Sequence, residues 1–464
     1  MSVLLKNGLV VTASGSFPAD VYVVGERIQS VGMGLAERAD EVVDATGKYI
    51  LPGAIDPHTH IDMPYLTTRS SDDWTTGSIA AACGGTTTII DFGMQGKGET
   101  LLQALDAERE RAEGKAAVDY GVHLGIGDVR PDVIAEMRRA VREYGVPSFK
   151  VYMFYDFRVS DAALIRLLEE TRRQDALLQL HAESYDMIHS LEERMGEKGR
   201  RDPLSHARAH AELAEEDAVS RAVRAVELTD GRIYIVHLST RRGLEVIRSA
   251  RRRGIRVNAE TCPQYLTLSE ELYSLPDWNG AKYVMSPPLR TATDQDALWE
   301  GIRDGLIQTT GTDHCPFNFH GQKDMNGRED WRLIPNGAPG IETMLMLMHS
   351  EGVAKGRISL ERMVEVLSTG TARMFGLGDK GAIAPGKDAD IVVFDPKRRF
   401  TISRDLLHQR VDYTPWEGRE ITGMPQIVYS RGRRVAEWAG DRMRFVGEIG
   451  RGRFIKRAAL PRTP

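Results

Sequence analysis

The stretch YILPGAIDPHTH, residues 49–60, is an apolar run that leads directly into two histidines, His58 and His60. Four further apolar runs carry one chemically useful side chain at or near their ends: Lys150 in SFKVYM, His181 in LLQLH, His237 in RIYIVH and Asp313 in IQTTGTDH. Short apolar runs of this kind are typical of buried parallel strands. Because the carboxyl ends of barrel strands meet at one mouth, the six side chains are predicted to converge there.

Eight apolar strand candidates alternate with helical stretches between residues 49 and 377: YILPGAID, TTTIIDF, DYGVHLGI, SFKVYM, LLQLH, RIYIVH, IRVNAE and LIQTTGT. One helical stretch, DWTTGSIAAACGG, begins near Asp72 and Asp73, which suit an N-cap, and ends in Gly84 and Gly85, which suit a C-cap. The alternation predicts an α/β fold, a (β/α)8 TIM barrel. The six side chains would then end strands one, four, five, six and eight.

Both ends of the chain are rich in short strands instead. VLLKNGLVV and DVYVVGERIQSVG precede the barrel, and GAIAPGKDADIVVFDP and ITGMPQIVYSRGRRVAE follow it. Neither end has enough strands for a stable module by itself, so we predict a second, smaller β-sandwich domain built from both. The predicted ranges are 1–50 and 378–440 for the sandwich, 51–377 for the barrel, and 441–464 for a basic tail, either solvated or laid as an arm on another subunit.

The composition is that of an ordinary globular protein of 464 residues, with 41% hydrophobic and 27% charged residues. A net charge of −5 gives no electrostatic footprint for nucleic acid. Cys83, Cys262 and Cys315 make neither a disulfide framework nor a CxxC zinc site, so a reducing compartment is expected. Without a signal peptide or an apolar run long enough for a membrane, the sequence predicts a cytoplasmic protein.

The six side chains favour a metal site. Residues i and i+2 of a strand share a face, so His58 and His60 point the same way. Lys150 has an alternative interpretation, in which its stem packs and its ammonium reaches water. Burial would instead lower its pKa, and a neutral amine can take up carbon dioxide to become an anionic carbamate. Carbamate and Asp313 would offset two divalent ions; zinc is the first choice, and manganese or cobalt fit too.

Other histidines and one cysteine compete with this interpretation. Singly, His181 and His237 fit a hydrogen-bonded core histidine equally well, and only the joint pattern favours ligands. His123, in YGVHLGI, has no matching pattern and is predicted to lie in the core. Cys315 follows Asp313 closely, but a metal site already supplies a nucleophile, so a catalytic cysteine is disfavoured.

The motifs resemble those of the cyclic-amide branch of the amidohydrolase superfamily, most closely the dihydropyrimidinases and hydantoinases. They are GAIDPHTH, AAACGGTTTIIDF, SFKVYM, QLHAE, IVHLS, ETCPQYL, SPPLR, GTDHCPF and IPNGAPGIE. Their order and spacing, from about residue 4 to the tail, carry the resemblance. It implies a binuclear metal-dependent hydrolase that opens the cyclic amide bond of dihydropyrimidines and 5-substituted hydantoins through a metal-bridging hydroxide. It also implies a homotetramer.

The resemblance assigns a role to each site residue. Six residues would hold two metal ions: His58 and His60 the more buried ion, His181 and His237 the more exposed one, Asp313 the first, and carboxylated Lys150 (N6-carboxylysine) both. Asp313 would also shuttle protons. Tyr155 would donate a hydrogen bond to the developing oxyanion. Ser286 and Asn336 would hold the imide of a small cyclic substrate through backbone groups.

The chain departs from the common family pattern in the loops that line the substrate side chain. Phe154 and Phe157 stand where smaller or polar residues are common, and Asp62, Tyr65 and Leu66 fall in the same loops. Extra aromatic surface there suggests a bulky, aryl ring substituent, as in phenylhydantoinase-like enzymes. Simple loop packing is the alternative.

Three other activities compete. Dihydroorotases bind the substrate carboxylate with an arginine at the position of Asp62, whose negative charge would repel it. Allantoinases lack the tyrosine seen here as Tyr155, which argues against that activity without excluding it. A non-catalytic dihydropyrimidinase-like scaffold, as in the collapsin-response mediators, would have lost metal ligands, whereas all six are present. The ring size and chirality of the substrate, the metal and the subunit number stay open.

Overall fold

The computed structural model describes residues 1–65, 67–325 and 327–460. Its strands are β1 Ser2–Thr12, β2 Gly15–Val24, β3 Arg27–Gly32, β4 Glu41–Asp44, β5 Tyr49–Pro52, β6 Ala54–Thr59, β7 Pro64–Tyr65, β8 Thr68–Arg69, β9 Thr86–Met94, β10 Asp119–Gly125, β11 Ser148–Tyr152, β12 Leu177–His181, β13 Ile233–Ile235, β14 Val257–Thr261, β15 Thr309–Thr310, β16 Ile391–Thr401, β17 Glu420–Ser430, β18 Arg433–Ala439 and β19 Arg442–Phe445.

The helices lie mainly between the strands of the middle region. They are α1 Trp74–Cys83, α2 Leu101–Ala112, α3 Pro131–Arg142, α4 Asp161–Arg173, α5 Tyr185–Glu197, α6 Leu204–Ala209, α7 Glu212–Thr229, α8 Arg241–Arg252, α9 Pro263–Thr267, α10 Ala292–Arg303, α11 Met344–Leu347, α12 Leu360–Val364 and α13 Gly370–Phe375. Tighter or wider helical turns occupy Glu270–Ser274, Asn279–Tyr283, Phe319–Lys323, Trp331–Leu333, Met348–Val353, Glu365–Thr369 and Arg404–Leu406. In the described residues no helix combines the length and the apolar character needed to cross a membrane.

Eight parallel strands form the predicted TIM barrel. Their order is β6, β9, β10, β11, β12, β13, β14 and β15. The first and last strands meet where the His60 N–H donates to the His314 carbonyl over 2.8 Å. Strands β9 to β12 are buried along almost their whole length, because helices cover the outside and side chains fill the inside. The predicted caps of α1 are confirmed, with Asp73 as N-cap and Gly84 as C-cap.

The first predicted strand, residues 49–56, is wrong as a single element. Residues Tyr49–Pro52 (β5) pair with β1 and β16 in the second sheet, and only β6 belongs to the barrel. Between them, a Cβ on Gly53 would lie 2.1 Å from Thr87 Oγ1. The chain therefore passes from one sheet to the other at a point where only glycine fits.

The second module joins both ends of the chain, as predicted. Strands β19, β18, β17, β16, β5, β1, β2 and β3 follow one another in one continuous sheet, and β4 pairs with β1. Alternate residues of these strands form a separate hydrophobic cluster that includes Val3, Leu5, Val21, Ile391 and Val393. The domain boundaries themselves stay a prediction.

The segment from residue 451 to residue 460 closes the amino-terminal end of the barrel. The Tyr120 N–H donates to the Arg453 carbonyl (2.9 Å), and the Leu460 N–H donates to the Asp175 carbonyl (2.7 Å). Of the predicted tail 441–464, residues Arg442–Phe445 form β19 of the second sheet, and residues 451–460 pack on the barrel of the same chain. Residues 461–464 lie outside the described residues.

The side chain of Arg457 connects this segment to the barrel interior. Its Nη2 donates to Ser148 Oγ over 2.8 Å. Since arginine can only donate, the Ser148 hydroxyl hydrogen is left for His123 Nδ1, 2.6 Å away. His123 Nε2 then carries the ring proton and donates to the Pro57 carbonyl over 3.0 Å. Burial lowers the pKa of His123 well below its usual value, which agrees with this neutral tautomer and with the predicted core role.

A buried ion cluster holds the second sheet on the barrel. Lys380 Nζ lies 2.7 Å from Asp119 on β10, 2.7 Å from Asp390 and 3.0 Å from Asp388. Arg431 Nε also bonds Asp119, over 3.0 Å. Burial would lower the pKa of Lys380, but the three carboxylates outweigh it and raise that pKa. The lysine is therefore charged and fixes the relative position of the two modules.

The variant Lys380→Met is expected to lower the free energy of unfolding by about 3–5 kcal/mol, because it leaves the buried carboxylate of Asp390 without its cation. Urea denaturation followed by circular dichroism would measure the loss. The control is Lys397→Met, an exposed lysine on β16, for which a change within about 0.5 kcal/mol is expected. Equal stability of the two variants would contradict the role of the cluster.

Candidate metal centre

The six predicted ligands lie together at the carboxyl-terminal mouth of the barrel. They stand on or just beyond five strands: His58 and His60 at the end of β6, Lys150 on β11, His181 at the end of β12, His237 after β13 and Asp313 after β15. The ring centroids of His58 and His237 are 5.5 Å apart, and those of His181 and His237 are 4.6 Å apart. The structure therefore brings the predicted set into one site.

One part of the site consists of two imidazoles and a carboxylate. Asp313 Oδ1 lies 3.2 Å from His58 Nε2 and 3.1 Å from His60 Nε2. Together the three residues offer ligand atoms within 4.8 Å of one another. Among the described residues, His58 Nε2 and His60 Nδ1 are buried without a hydrogen-bond partner. A buried imidazole nitrogen without a hydrogen-bond partner beside a carboxylate, as His58 Nε2 is beside Asp313, fits a zinc-type ion.

Electrostatics keep these groups in the forms that bind cations. Burial lowers the pKa of His58 and of His237 well below the usual value, so both imidazoles are neutral. Burial alone would raise the pKa of Asp313, but His58, His60 and Lys150 outweigh it, so this pKa lies below its usual value. A neutral imidazole and an ionised carboxylate are the states that a metal ligand requires.

Lys150 is buried among aromatic rings, with only 1% of its surface exposed. Its Nζ lies 5.0 Å from the centre of the Phe92 ring and 5.1 Å from that of Tyr152. Burial lowers the pKa of Lys150 to about 8, although Asp313 opposes the shift. The alternative in which the ammonium reaches water is therefore wrong.

Three site residues have an unusual backbone conformation. The φ angles of His237, Asp313 and Tyr155 are +39°, +52° and +69°. Such left-handed conformations cost non-glycine residues about 1–3 kcal/mol each and are held only where the surrounding structure fixes them. Strands β13 and β15 are short, and His237 and Asp313 follow them with positive φ angles.

Tyr155 lies beside the ligands. Its ring centroid is 5.4 Å from that of His181, and it stacks on Phe157 at 5.5 Å with 13° between the planes. Desolvation raises the pKa of Tyr155 well above its usual value, so its hydroxyl stays protonated and able to donate. This geometry suits the predicted hydrogen-bond donor.

Ser286 and Asn336 lie on adjacent segments near Asp313. The Ser286 hydroxyl is buried and, in the described part of the chain, has no hydrogen-bond partner. The Gly337 N–H, next to Asn336, donates to the Val284 carbonyl over 3.0 Å. The Cys315 N–H donates to the Ala338 carbonyl over 3.2 Å, which ties the Asn336 segment to the loop that carries Asp313.

The aromatic side chains at the mouth separate into two groups. Phe154 is buried and packs on Tyr155, with ring centroids 4.7 Å apart. This contact agrees with the alternative in which the side chain packs the loop. Phe157 is 41% exposed and stands at the open side of Tyr155. Asp62 is engaged in a surface salt bridge, and Leu66 lies outside the described residues.

Cys315 does not have the character of a nucleophile. It is buried, and both burial and the nearby Asp313 raise the pKa of its thiol well above the usual value. A thiol in this state carries almost no thiolate at neutral pH. The sequence argument against a catalytic cysteine is consistent with this environment.

Comparison with known proteins identifies the family of the chain. The sequence profile described as "Amidohydrolase family" matches residues 49–435. The chain belongs to the amidohydrolase family. It is 45% identical to a D-hydantoinase of Geobacillus stearothermophilus, over 99% of this chain and 97% of that protein. It is 39% identical to a D-phenylhydantoinase of Escherichia coli O1:K1 / APEC, over 98% of each chain.

Solved structures give the same relationship for this amidohydrolase. A dihydropyrimidinase from Brevibacillus agri NCHU1002 superposes with a TM-score of 0.97, at 44% identity and full coverage of both chains. A protein described as L-hydantoinase (dihydropyrimidinase) from Arthrobacter aurescens gives a TM-score of 0.89, at 30% identity over 98% of this chain and 99% of that chain.

Two carboxylates of this amidohydrolase were missed by sequence reasoning. Glu260 Oε1 lies 2.6 Å from His58 Nδ1, which leaves Nε2 of that ring to face Asp313. The Tyr234 hydroxyl donates to the other oxygen of Glu260 over 2.7 Å. Burial raises the pKa of Glu260 to about 7. A carboxylate on the outer nitrogen of a ligating histidine fixes its tautomer and its orientation.

The second missed carboxylate, Glu183, supports His181 in the same way. Its two oxygens lie 2.8 Å from His181 Nε2 and 2.9 Å from His210 Nδ1. Burial would raise the pKa of Glu183, but His210 and His181 outweigh it and lower that pKa. The sequence offered one signal for Glu183, because it stands two residues after His181 at the end of β12. His210 has no spacing that relates it to the other site residues.

Proposed function

We propose that this amidohydrolase opens the ring amide bond of cyclic amides and imides, with dihydropyrimidines and 5-substituted hydantoins as the substrate class. The observation that carries the proposal is the convergence of four histidines, three of them buried, with Lys150 and Asp313 at one barrel mouth. The names of the relatives, D-hydantoinase and dihydropyrimidinase, support this class over an allantoinase. The full set of six ligand candidates also speaks against a non-catalytic scaffold.

The donor set fits two divalent ions, zinc by preference. His58, His60 and Asp313 would hold one ion, His181 and His237 the other, and Lys150 as N6-carboxylysine would bridge them. The pKa of about 8 for Lys150 leaves a substantial neutral fraction of amine, the form that reacts with carbon dioxide. When bound, such ions would lower the pKa of water at the mouth and so supply the nucleophile.

The residues of this chain would carry the remaining steps. Asp313, whose pKa lies below its usual value, is ionised and can accept the proton of the attacking water and return it to the leaving nitrogen. Tyr155 would donate a hydrogen bond to the oxyanion that forms at the carbonyl. Ser286 and Asn336 would orient the imide through backbone groups. Phe157, beside Tyr155, would contact the ring substituent.

Three further properties belong to the proposal. The family suggests a homotetramer. The composition and charge of the chain suggest a cytoplasmic protein that binds neither nucleic acid nor membranes. The predicted domain ranges 1–50, 51–377 and 378–440 describe how the two modules would divide the chain.

A substrate panel tests the proposed function. Zinc-loaded protein is expected to open the ring of dihydrouracil and of at least one enantiomer of 5-phenylhydantoin, with allantoin much slower, as followed by the loss of ring-amide absorbance. Removal of the metal with a chelator should abolish turnover, and added zinc should restore it. A preference for allantoin would favour the allantoinase alternative. Metal-loaded protein that opens no ring would contradict the proposal.

The variant Lys150→Ala is expected to abolish hydrolysis of hydantoin and dihydrouracil, because it removes the bridging anion. Short carboxylic acids in the buffer should partly restore turnover by occupying the space of the carbamate. Lys397→Ala, which changes an exposed lysine, should retain activity. Full activity of Lys150→Ala would rule out the bridging role.

The variant Tyr155→Phe is expected to lower kcat roughly 10²-fold, as for the loss of one oxyanion donor. The content of bound metal should stay the same, because the hydroxyl is not proposed as a ligand. Tyr144→Phe, at a half-buried position after α3, serves as the matched control. Near-normal kcat in Tyr155→Phe would remove this residue from the mechanism.

A further inference from the structure

The turn Phe319–Lys323 touches three segments that line the mouth. Gln322 Nε2 donates to Thr68 Oγ1 over 2.6 Å and to the Arg69 carbonyl over 2.8 Å. Lys323 Nζ donates to the Val284 carbonyl over 2.9 Å and to the Pro335 carbonyl over 2.7 Å. The turn therefore joins the loop around residue 68 to the segments that carry Ser286 and Asn336.

Lys323 is an unusual residue for this position. It has no exposed surface, and within the described residues its ammonium bonds backbone carbonyls and forms no salt bridge. Burial lowers the pKa of Lys323 to about 7. A buried amine without a carboxylate partner costs stability that an apolar side chain of the same length would not. Its presence is therefore better explained by the two bonds it makes than by stability.

The two carbonyls place Lys323 between the predicted substrate-binding residues. Val284 precedes Ser286 by two positions, and Pro335 directly precedes Asn336. The Val284 carbonyl also accepts from the Gly337 N–H over 3.0 Å. Gly337 has a φ of +142°, and a Cβ there would lie 2.3 Å from the Cys315 carbonyl oxygen, so this close approach requires glycine.

Other side chains fix the Ser286 segment from one side only. The ring of His206 bonds the Met285 carbonyl over 2.8 Å, and the Tyr265 hydroxyl donates to the Pro287 carbonyl over 2.7 Å. The Tyr273 hydroxyl accepts from the Leu289 N–H over 2.9 Å. None of these three bonds reaches the Asn336 segment. The Lys323 ammonium bonds both segments, and together with the Gly337–Val284 backbone bond it holds them at a fixed distance.

We propose that Lys323 is a positioning residue that sets the spacing of the Ser286 and Asn336 backbones and thereby the affinity for the cyclic imide. The inference rests on the proposed function, in which these two residues hold the ring. Lys323 acts through the two segments and does not touch the substrate. Because the same backbone groups hold substrate and transition state, its loss should weaken both and raise KM more than it lowers kcat.

The test compares Lys323→Met with wild type as full-length, zinc-loaded protein. Steady-state kinetics on dihydrouracil, below the Tm of each variant, should give a KM roughly tenfold higher, since one lost positioning contact is worth about 1.4 kcal/mol. The zinc content should equal that of wild type. Lys323→Gln keeps a primary amide with two N–H donors, so its KM should fall between those of wild type and Lys323→Met.

The matched control is Lys380→Met, which also removes a buried lysine, but one that bonds Asp119 at the start of β10, at the end of the barrel opposite the mouth. It should lower Tm and leave KM within about twofold of wild type. An unchanged KM in Lys323→Met with full zinc content would overturn the inference, and so would an equal rise of KM in Lys380→Met. If Lys323→Met fails to fold, Lys323→Gln decides: a higher KM supports the inference and an unchanged KM overturns it.

The outcome also separates this inference from the proposed function. Wild-type protein that opens no cyclic amide would overturn the proposed function and the role of Lys323 with it. Wild-type turnover together with an unaltered KM in the Lys323 variants would overturn the role of Lys323 alone.

Discussion

The burial of the side chains at the barrel mouth is the constraint on which the site depends. Lys150 has 1% of its surface exposed, and its neighbours His58 and His237 are almost as deeply buried. In such an environment a charge is stable only when another charge or a strong hydrogen bond offsets it. This accounts for the low pKa values of the histidines and the lysine. It also explains why ionised Asp313 lies within 3.2 Å of two imidazoles.

The barrel and the side chains that converge at its mouth were predictable because both leave a local signal. A buried parallel strand is an apolar run, and a ligand candidate at its end is a polar residue in a fixed place, as with His181 and His237. Glu260 leaves no such signal, because the partner it orients, His58, is 202 residues away in the chain. The break at Gly53 was also missed, since an apolar run does not show which of two sheets it joins. Its cause, the close approach of Thr87, exists only in the folded chain.

The strained backbone at the mouth depends on the support around it. His237 and Asp313 hold positive φ angles, and each lies next to a rigid hydrogen-bonded group. The His237 N–H donates to Glu260 over 3.3 Å, and the Thr312 N–H donates to Asp56 over 3.0 Å. These carboxylates tie the loops to β14 and β6, so hydrogen bonds beneath the mouth offset the strain of the positive φ angles. The buried carboxylates Glu260 and Asp56 thus help to hold the backbone of His237 and Asp313 in place.

Three buried lysines of this protein meet the same cost of desolvation in three ways, and the difference predicts their roles. Lys380 is surrounded by three carboxylates, which raise its pKa, so it stays charged and joins two modules. Within the described residues Lys323 bonds two carbonyls; they are weaker acceptors than carboxylates but fixed in direction, which suits a residue that sets a distance. Lys150 lies between aromatic rings at the mouth, and under the proposed function its amine would carry the carbamate. On these proposals the partners of each amine, more than its burial, distinguish the structural, the positioning and the carboxylated lysine.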